Sequence, residues 1–257
     1  RPPTESALAP RKPIRLFDRG LDRFYSWTKD HGYRDPERVF RFDGDTLRIS
    51  GEEDGYLGTR ESYRDYELRL EFRWGEGNAK RRAGKARDSG LFLHSRGPDG
   101  NSHDGDGAFR AAIECQIMEG ASGDLMLIRG KDRKGQLLPL SLKTHIAKKL
   151  DSDGWPFYAE GGKERKIETW GRLNWNAKDS TWRDEFGFRG TRDVEAQPGT
   201  WNRLVVRAEG GEIEVRLNDQ IVNRAFDVEP REGAILLQSE GSEVYFRNLE
   251  LHPLSTR

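Results

Sequence analysis

The sequence predicts an all-β protein, a β-sandwich or jelly roll built from two antiparallel sheets in one domain. Three observations lead there. Short runs of alternating apolar and polar residues recur along the chain, separated by turn residues every eight to twelve positions. One of them, YELRLEFRW, alternates strictly: Leu68, Leu70, Phe72 and Trp74 share one face, and Glu67, Arg69, Glu71 and Arg73 share the other. No stretch carries the periodicity of an amphipathic helix.

Taken in order, residues 1–13 are Pro-rich and polar and read as a mobile tail, leaving 14–257 as the folded domain. IRLFDRGLDRFYSW is a first strand followed by a loop or short helical turn, and 28–38 is a charged loop containing Pro36. VFRFDGDTLRIS is a hairpin turning at Asp43–Gly44–Asp45, and GYLGTRESY is a short strand. Residues 75–87, GEGNAKRRAGKAR, read as a solvated basic loop. GDLMLIRG is a strand. Residues 131–195 then break the rhythm with a polar, Trp-containing excursion, for which extended segments and a hairpin at KIETWGRLNW are expected, packed over one face. Regular alternation resumes at WNRLVVRAEGGEIEVRLNDQIVN, with turns at Gly210–Gly211 and Asn218–Asp219, and ends with GAILLQSEG and EVYFRNLELHPL.

Composition excludes several classes. Lys+Arg and Asp+Glu both number 44 in 257 residues, so no net charge favours nucleic acid or an anionic membrane, and no run reaches transmembrane length. Cys115, on the apolar parity of its run, reads as a buried small hydrophobe and not as a nucleophile. A lone cysteine leaves no intrachain disulfide and does not fix the compartment. Nothing in the sequence sets the oligomeric state.

The chemistry-bearing stretch is Asp88–Glu119. In IECQIM the apolar set Ile113, Cys115 and Ile117 alternates with Glu114 and Gln116, and strand parity in GLFLH places His94 with Phe92 opposite Leu91 and Leu93. Glu114, Gln116 and His94 therefore form either a solvated sheet face or a site. In the last strands Gln238 and Glu240 echo the same spacing. G-x-S-x-G, H-E-x-x-H and P-loop motifs are absent. Gln116 stands where a second acid two residues beyond Glu114 would serve a two-carboxylate retaining mechanism, which argues against that mechanism on this strand alone.

The ordered set IRLFDRGLDRFYSW, DGDTLRISGEEDGYLGTRESYRDYELRLEFRWG, ARDSGLFLHSRGPDG, IECQIMEGASGD, DEFGFRGTRDVE, PGTWNRLVV and ILLQSEGSEVYFRNLELHPL resembles the 3-keto-disaccharide hydrolase domain family over roughly residues 14 to 254. The resemblance implies a concanavalin A-like jelly roll, export to the periplasm, outer membrane or medium, and action on glycosides oxidised at C3. A 3-ketone acidifies the C2 proton; one base removes it, the aglycone leaves C1 by β-elimination, and hydration completes a net hydrolysis. Glu114 and Gln116 match the family's acid-x-Gln strand. His94 stands where many relatives carry Arg, and Glu240 where others carry His, which sets this chain in a variant subgroup. The resemblance implies Glu114 as base or acid with His94 as its partner, and Gln116, Arg73, Asp88, Gln238 and Glu240 as substrate contacts. A divalent metal ion, if one polarises the ketone, would be held by His94 and Glu114. The alternative is a lectin-like carbohydrate-binding module with the same sugar contacts and no turnover. An adhesion role with residues 131–195 as the binding surface is a third reading.

Overall fold

A computed structural model describes residues 6–103 and 106–255, and there eighteen strands and one 3-10 turn, with no α-helix, form two antiparallel sheets. The smaller sheet runs β13 (Gly171–Leu173), β9 (Leu125–Ile128), β8 (Ala111–Met118), β7 (Asp88–Arg96), β17 (Ala234–Ser239), β5 (Gly55–Thr59), β2 (Phe24–Thr28). The larger runs β11 (Pro156–Tyr158), β10 (Ser141–Leu150), β16 (Gln220–Glu229), β15 (Glu212–Leu217), β14 (Asn202–Glu209), β6 (Tyr66–Asn78), β18 (Ser242–His252), β4 (Thr46–Ile49), β3 (Phe40–Asp43). Strand β1 (Ile14–Arg15) adds to β18, and β12 (Lys163–Glu168) adds to β10. This is a β-sandwich of the jelly-roll kind, as the alternation predicts, and concanavalin A-like, as the family resemblance implies.

The core lies between the sheets and is made by parity. Leu68, Leu70, Phe72 and Trp74 of β6 meet Leu91 and Leu93 of β7, Ile113, Cys115 and Ile117 of β8, and Ile235 and Leu237 of β17. Each such side chain, removed from water, contributes roughly 1.5–3 kcal/mol. Cys115 is fully buried among them, and burial pushes its thiol up, so it is packing and not chemistry. Both expected two-residue turns close hairpins: Gly210–Gly211 joins Glu209 to Glu212, and Asn218–Asp219 joins Leu217 to Gln220, all four turn residues at positive φ.

Two expectations change. Of the expected tail, residues 1–5 lie outside the described residues, and 6–13 are tied down: Leu8 donates to Ser62 O and accepts from Arg64 N, and Ala7 is buried. The excursion 131–195 does contain extended segments, but KIETWGRLNW is no hairpin. Its first half, β12, pairs with β10 in the larger sheet, and its second, β13, pairs with β9 in the smaller. The chain crosses between sheets at Thr169–Trp170, Thr169 holding a φ of 66°.

Candidate active site on the outer face of the smaller sheet

With Leu91, Ile113, Cys115, Ile117, Ile235 and Leu237 committed to the core, their alternates must face outward. Register assembles these alternates into rows. One row carries Trp27, Tyr56, Gln238, Gly90 and Gln116; the next carries Tyr25, Gly58, Leu236, Phe92, Glu114, Met126 and Arg172. Tyr56, Phe92 and Leu236 form a small apolar cluster that fixes this face, with Trp27, Tyr25 and Met126 packed against it.

Gly90 opens the centre of the patch. A β-carbon there would stand 2.2 Å from Glu114 Oε1 and 2.8 Å from Gln238 Oε1, so the two oxygens lean from neighbouring strands over a backbone that has no side chain of its own. Asp88 sits two residues along β7 and pairs with Arg82 at 2.8 Å. Arg82 is positioned by donating from Nε to Ala86 O and by a 3.1 Å contact with Asp184. Gln238 donates from Nε2 to Glu240 Oε2 at 2.7 Å. Gln116 Nε2 makes only weak contacts, to the sulfurs of Met118 and Met126.

These groups are buried yet incompletely satisfied. Glu114 is 2% exposed, Asp88 4%, Gln116 5% and Gln238 1%. Asp88 Oδ1, Glu114 Oε1, Gln116 Oε1, Gln238 Oε1 and Arg172 Nη2 all lack a hydrogen-bond partner. A buried polar atom without a partner costs about 1–3 kcal/mol, so five on one patch describe a surface shaped for a polar ligand. The wider grooves lie elsewhere; one of about 540 Å³ runs along His145, Tyr158, Arg224 and Phe226 of the larger sheet. It carries no such set of buried, unmatched atoms, and volume alone does not make chemistry.

Electrostatics separates the carboxyls. Burial pushes Asp88 up to about 7, with Arg82 and then Arg172 pulling against it. Burial, reinforced by the charge of Asp88, holds Glu114 well above the ordinary carboxylate range; Arg172 opposes this only in part. Glu240 is also driven up, first by burial and then by Asp88 and Glu114. Burial and the neighbouring carboxyl thus both favour the protonated form of Glu114, while Asp88, beside its own cation, stands near 7.

Glu114, Gln116, Asp88, Gln238 and Glu240 lie together around this patch. His94 does not. The β7–β8 register slips between Leu93 and Arg96, the β7–β17 register slips between Ala234 and Leu236, and His94 holds a φ of 53°. The bulge reverses its parity. The ring packs edge-on to core Tyr66 at 5.8 Å, and Nδ1 donates to Pro230 O at 2.9 Å. Burial lowers its pKa to about 4, so it is neutral there. The pair His94 and Glu114 as metal ligands is therefore not formed, and among the described residues no three His, Cys, Asp or Glu side chains converge as a metal set. Arg73 is also elsewhere. Its β6 neighbours Phe72 and Trp74 point into the core, so Arg73 lies on the outer face of the larger sheet, over Tyr245 and Trp201 at 4.5 and 5.2 Å.

Three participants escaped sequence reasoning: Arg82 from the loop read as solvated, and Arg172 and Asp124 from β13 and the turn before β9. The sequence carries no periodic signal for any of them. Asp124 is fully buried; it accepts from Arg172 Nε at 2.7 Å, Lys178 Nζ at 2.8 Å and Trp175 N at 2.7 Å.

Comparison with known proteins adds the family. The profile of the 3-keto-alpha-glucoside-1,2-lyase-like domain matches residues 12–252. The chain belongs to that family. Two crystal structures from Parabacteroides distasonis ATCC 8503, each described as a candidate glycosyl hydrolase, share the fold. One is 18% identical with a TM-score of 0.50, covering 95% of this chain and 100% of the other. The second is 13% identical with a TM-score of 0.52, covering 95% and 94%. At these identities they speak to fold alone. No curated protein matches the chain.

Proposed function

We propose that this member of the 3-keto-alpha-glucoside-1,2-lyase-like family cleaves the glycosidic bond of a sugar already oxidised at C3, by elimination followed by hydration. The observation that carries this reading is the patch around Gly90, where Glu114 Oε1 and Gln238 Oε1 lean over a bare backbone and Asp88 Oδ1 and Gln116 Oε1 are likewise buried without a partner. A carboxylate near neutrality suits a general base, and Asp88, ion-paired with Arg82, takes the C2 proton. A carboxyl held protonated suits a general acid, and Glu114 donates to the departing glycosidic oxygen. Gln116 and Gln238 offer carbonyl oxygens to sugar hydroxyls. Only one base and one acid are needed, which agrees with Gln116 standing where a two-carboxylate enzyme would carry a second acid.

The test is aglycone release from a 3-keto-α-glucoside by the wild type, by Asp88→Asn and by Glu114→Gln, with EDTA present and absent. Release that falls by about 100-fold or more in both variants supports the assignment. Binding by all three proteins without release supports the sugar-binding module instead.

A further inference from the structure

Among the described residues of the patch, the unmatched atoms are oxygen acceptors except for two donors, Arg172 Nη2 and, at the β2 end of its row, Trp27 Nε1, and of these only Arg172 carries a charge. Arginine and carboxylate ordinarily meet in a two-pronged pair. Here they do not, and Asp124 explains why. Its Oδ1 is occupied by Trp175 N, and its Oδ2 is shared between Arg172 Nε and Lys178 Nζ, at 2.7 and 2.8 Å. Lys178 is itself 3% exposed, and it accompanies Arg172 against the ring of Trp182, at 4.5 and 5.6 Å respectively. One edge of the guanidinium is thus fixed, and another nitrogen is buried without a carboxylate of its own. Register sets Arg172 beside Met126, and Met126 beside Glu114. Strands lie about 4.8 Å apart, so an arginine side chain spans most of the two-strand gap to Glu114. Its charge acts on both Asp88 and Glu114.

We infer that Arg172 is a specificity-determining residue whose Nη2 hydrogen-bonds the C3 carbonyl oxygen of the substrate and stabilises the enolate formed there. The inference rests on the proposed elimination. When Asp88 removes the C2 proton, the electron pair of the C2–H bond becomes the C2=C3 bond, and the carbonyl pair moves onto oxygen. Arg172 meets that negative charge with a donor already desolvated and already positioned. The pair then returns to form C1=C2, the C1–O bond breaks, and Glu114 supplies the proton to the leaving oxygen. Water adds at C1 and gives its proton to Glu114, and Asp88, its proton exchanged with solvent, protonates C2, so atoms and charge balance. An alcohol at C3 offers no developing charge, so Arg172 discriminates the ketone from the parent glycoside.

The test compares wild type, Arg172→Lys and Arg172→Gln on a 3-keto-α-glucoside in D2O. Two rates are read: exchange of the C2 hydrogen and release of aglycone. Thermal melting establishes that each variant is folded, and Lys at this position keeps a cation beside Asp124 if Gln does not fold. Both rates are expected to fall together by about 100-fold or more, with KM changed by less than about tenfold. The preference for the 3-keto over the 3-hydroxy ligand in binding falls with them. Exchange that persists while release falls, or a loss of affinity equal for both ligands, overturns the inference and leaves the elimination standing. Absence of exchange and release in the wild type overturns both.

Discussion

Gly90 is the residue on which the site turns. Alanine in a strand usually stabilises relative to glycine by about 0.5–1 kcal/mol, but here the added carbon would collide with Glu114 Oε1 and Gln238 Oε1. Gly90→Ala is expected to keep a melting temperature within a few degrees of wild type, while aglycone release falls about 100-fold or more; a kinetic assay beside a thermal melt separates the two. Arg82 sets the proton affinity of Asp88, since its charge opposes the burial that raises it. Removing it in Arg82→Gln leaves burial less opposed and moves Asp88 further up. The acid limb of the kcat/KM profile, near pH 7 in the wild type, is expected to shift to higher pH, so activity at neutrality falls and recovers in base. His94 gives the contrasting case. Its folded pKa of about 4 lies below the unperturbed 6.5, so its contribution is present above 6.5 and lost as pH falls through 4. His94→Leu is expected to flatten that acid-side loss by on the order of 3 kcal/mol in urea unfolding, while leaving catalytic constants within about threefold of wild type. A large loss of turnover would return His94 to the chemistry.

At the scale of elements, strand parity made half of the site legible. Glu114 and Gln116 on β8 and Gln238 on β17 follow directly from the apolar alternates Ile113, Cys115, Ile117, Ile235 and Leu237. Parity failed at His94 because a bulge shifts the phase by one residue, and a phase shift leaves no mark in the hydrophobic pattern. It could not place Arg73, because an outward residue is ambiguous until its strand is assigned to a sheet. Arg82, Arg172 and Asp124 come from a 3-10 turn, a three-residue edge strand and a turn, where no period exists to read. The same segment that hid them also does the anchoring. Asp124 holds Arg172, Lys178 and Trp175 at once, and its removal strands two buried cations. Asp124→Asn is expected to cost about 3–5 kcal/mol, read from the urea midpoint, and to lower turnover through the loss of Arg172 positioning. Unfolding at the wild-type midpoint would contradict the anchoring role.

In the whole molecule, two sheets divide the labour. The larger packs its inner face against the core and ladders its outer face with ion pairs such as Arg247–Glu71 and Arg207–Glu209, which salt and solvent screen. The smaller buries both faces, the inner in apolar packing and the outer in the cluster of Tyr56, Phe92 and Leu236 beside polar groups with unmatched atoms. Alternation and turn spacing predicted this sandwich well, since they depend on local parity. The excursion at 131–195 was legible only as a departure, because its strands are split between the two sheets, β10 to β12 joining the larger through β16 and β13 joining the smaller through β9. The central claim for the molecule is that the unmatched patch removes a proton beside a ketone. The most direct test follows a 3-keto-α-glucoside and its unoxidised parent in D2O with wild-type protein. Aglycone release is expected from the keto sugar alone, with deuterium at C2 of the sugar product. Release from the parent, or a product that keeps its C2 hydrogen, would contradict it.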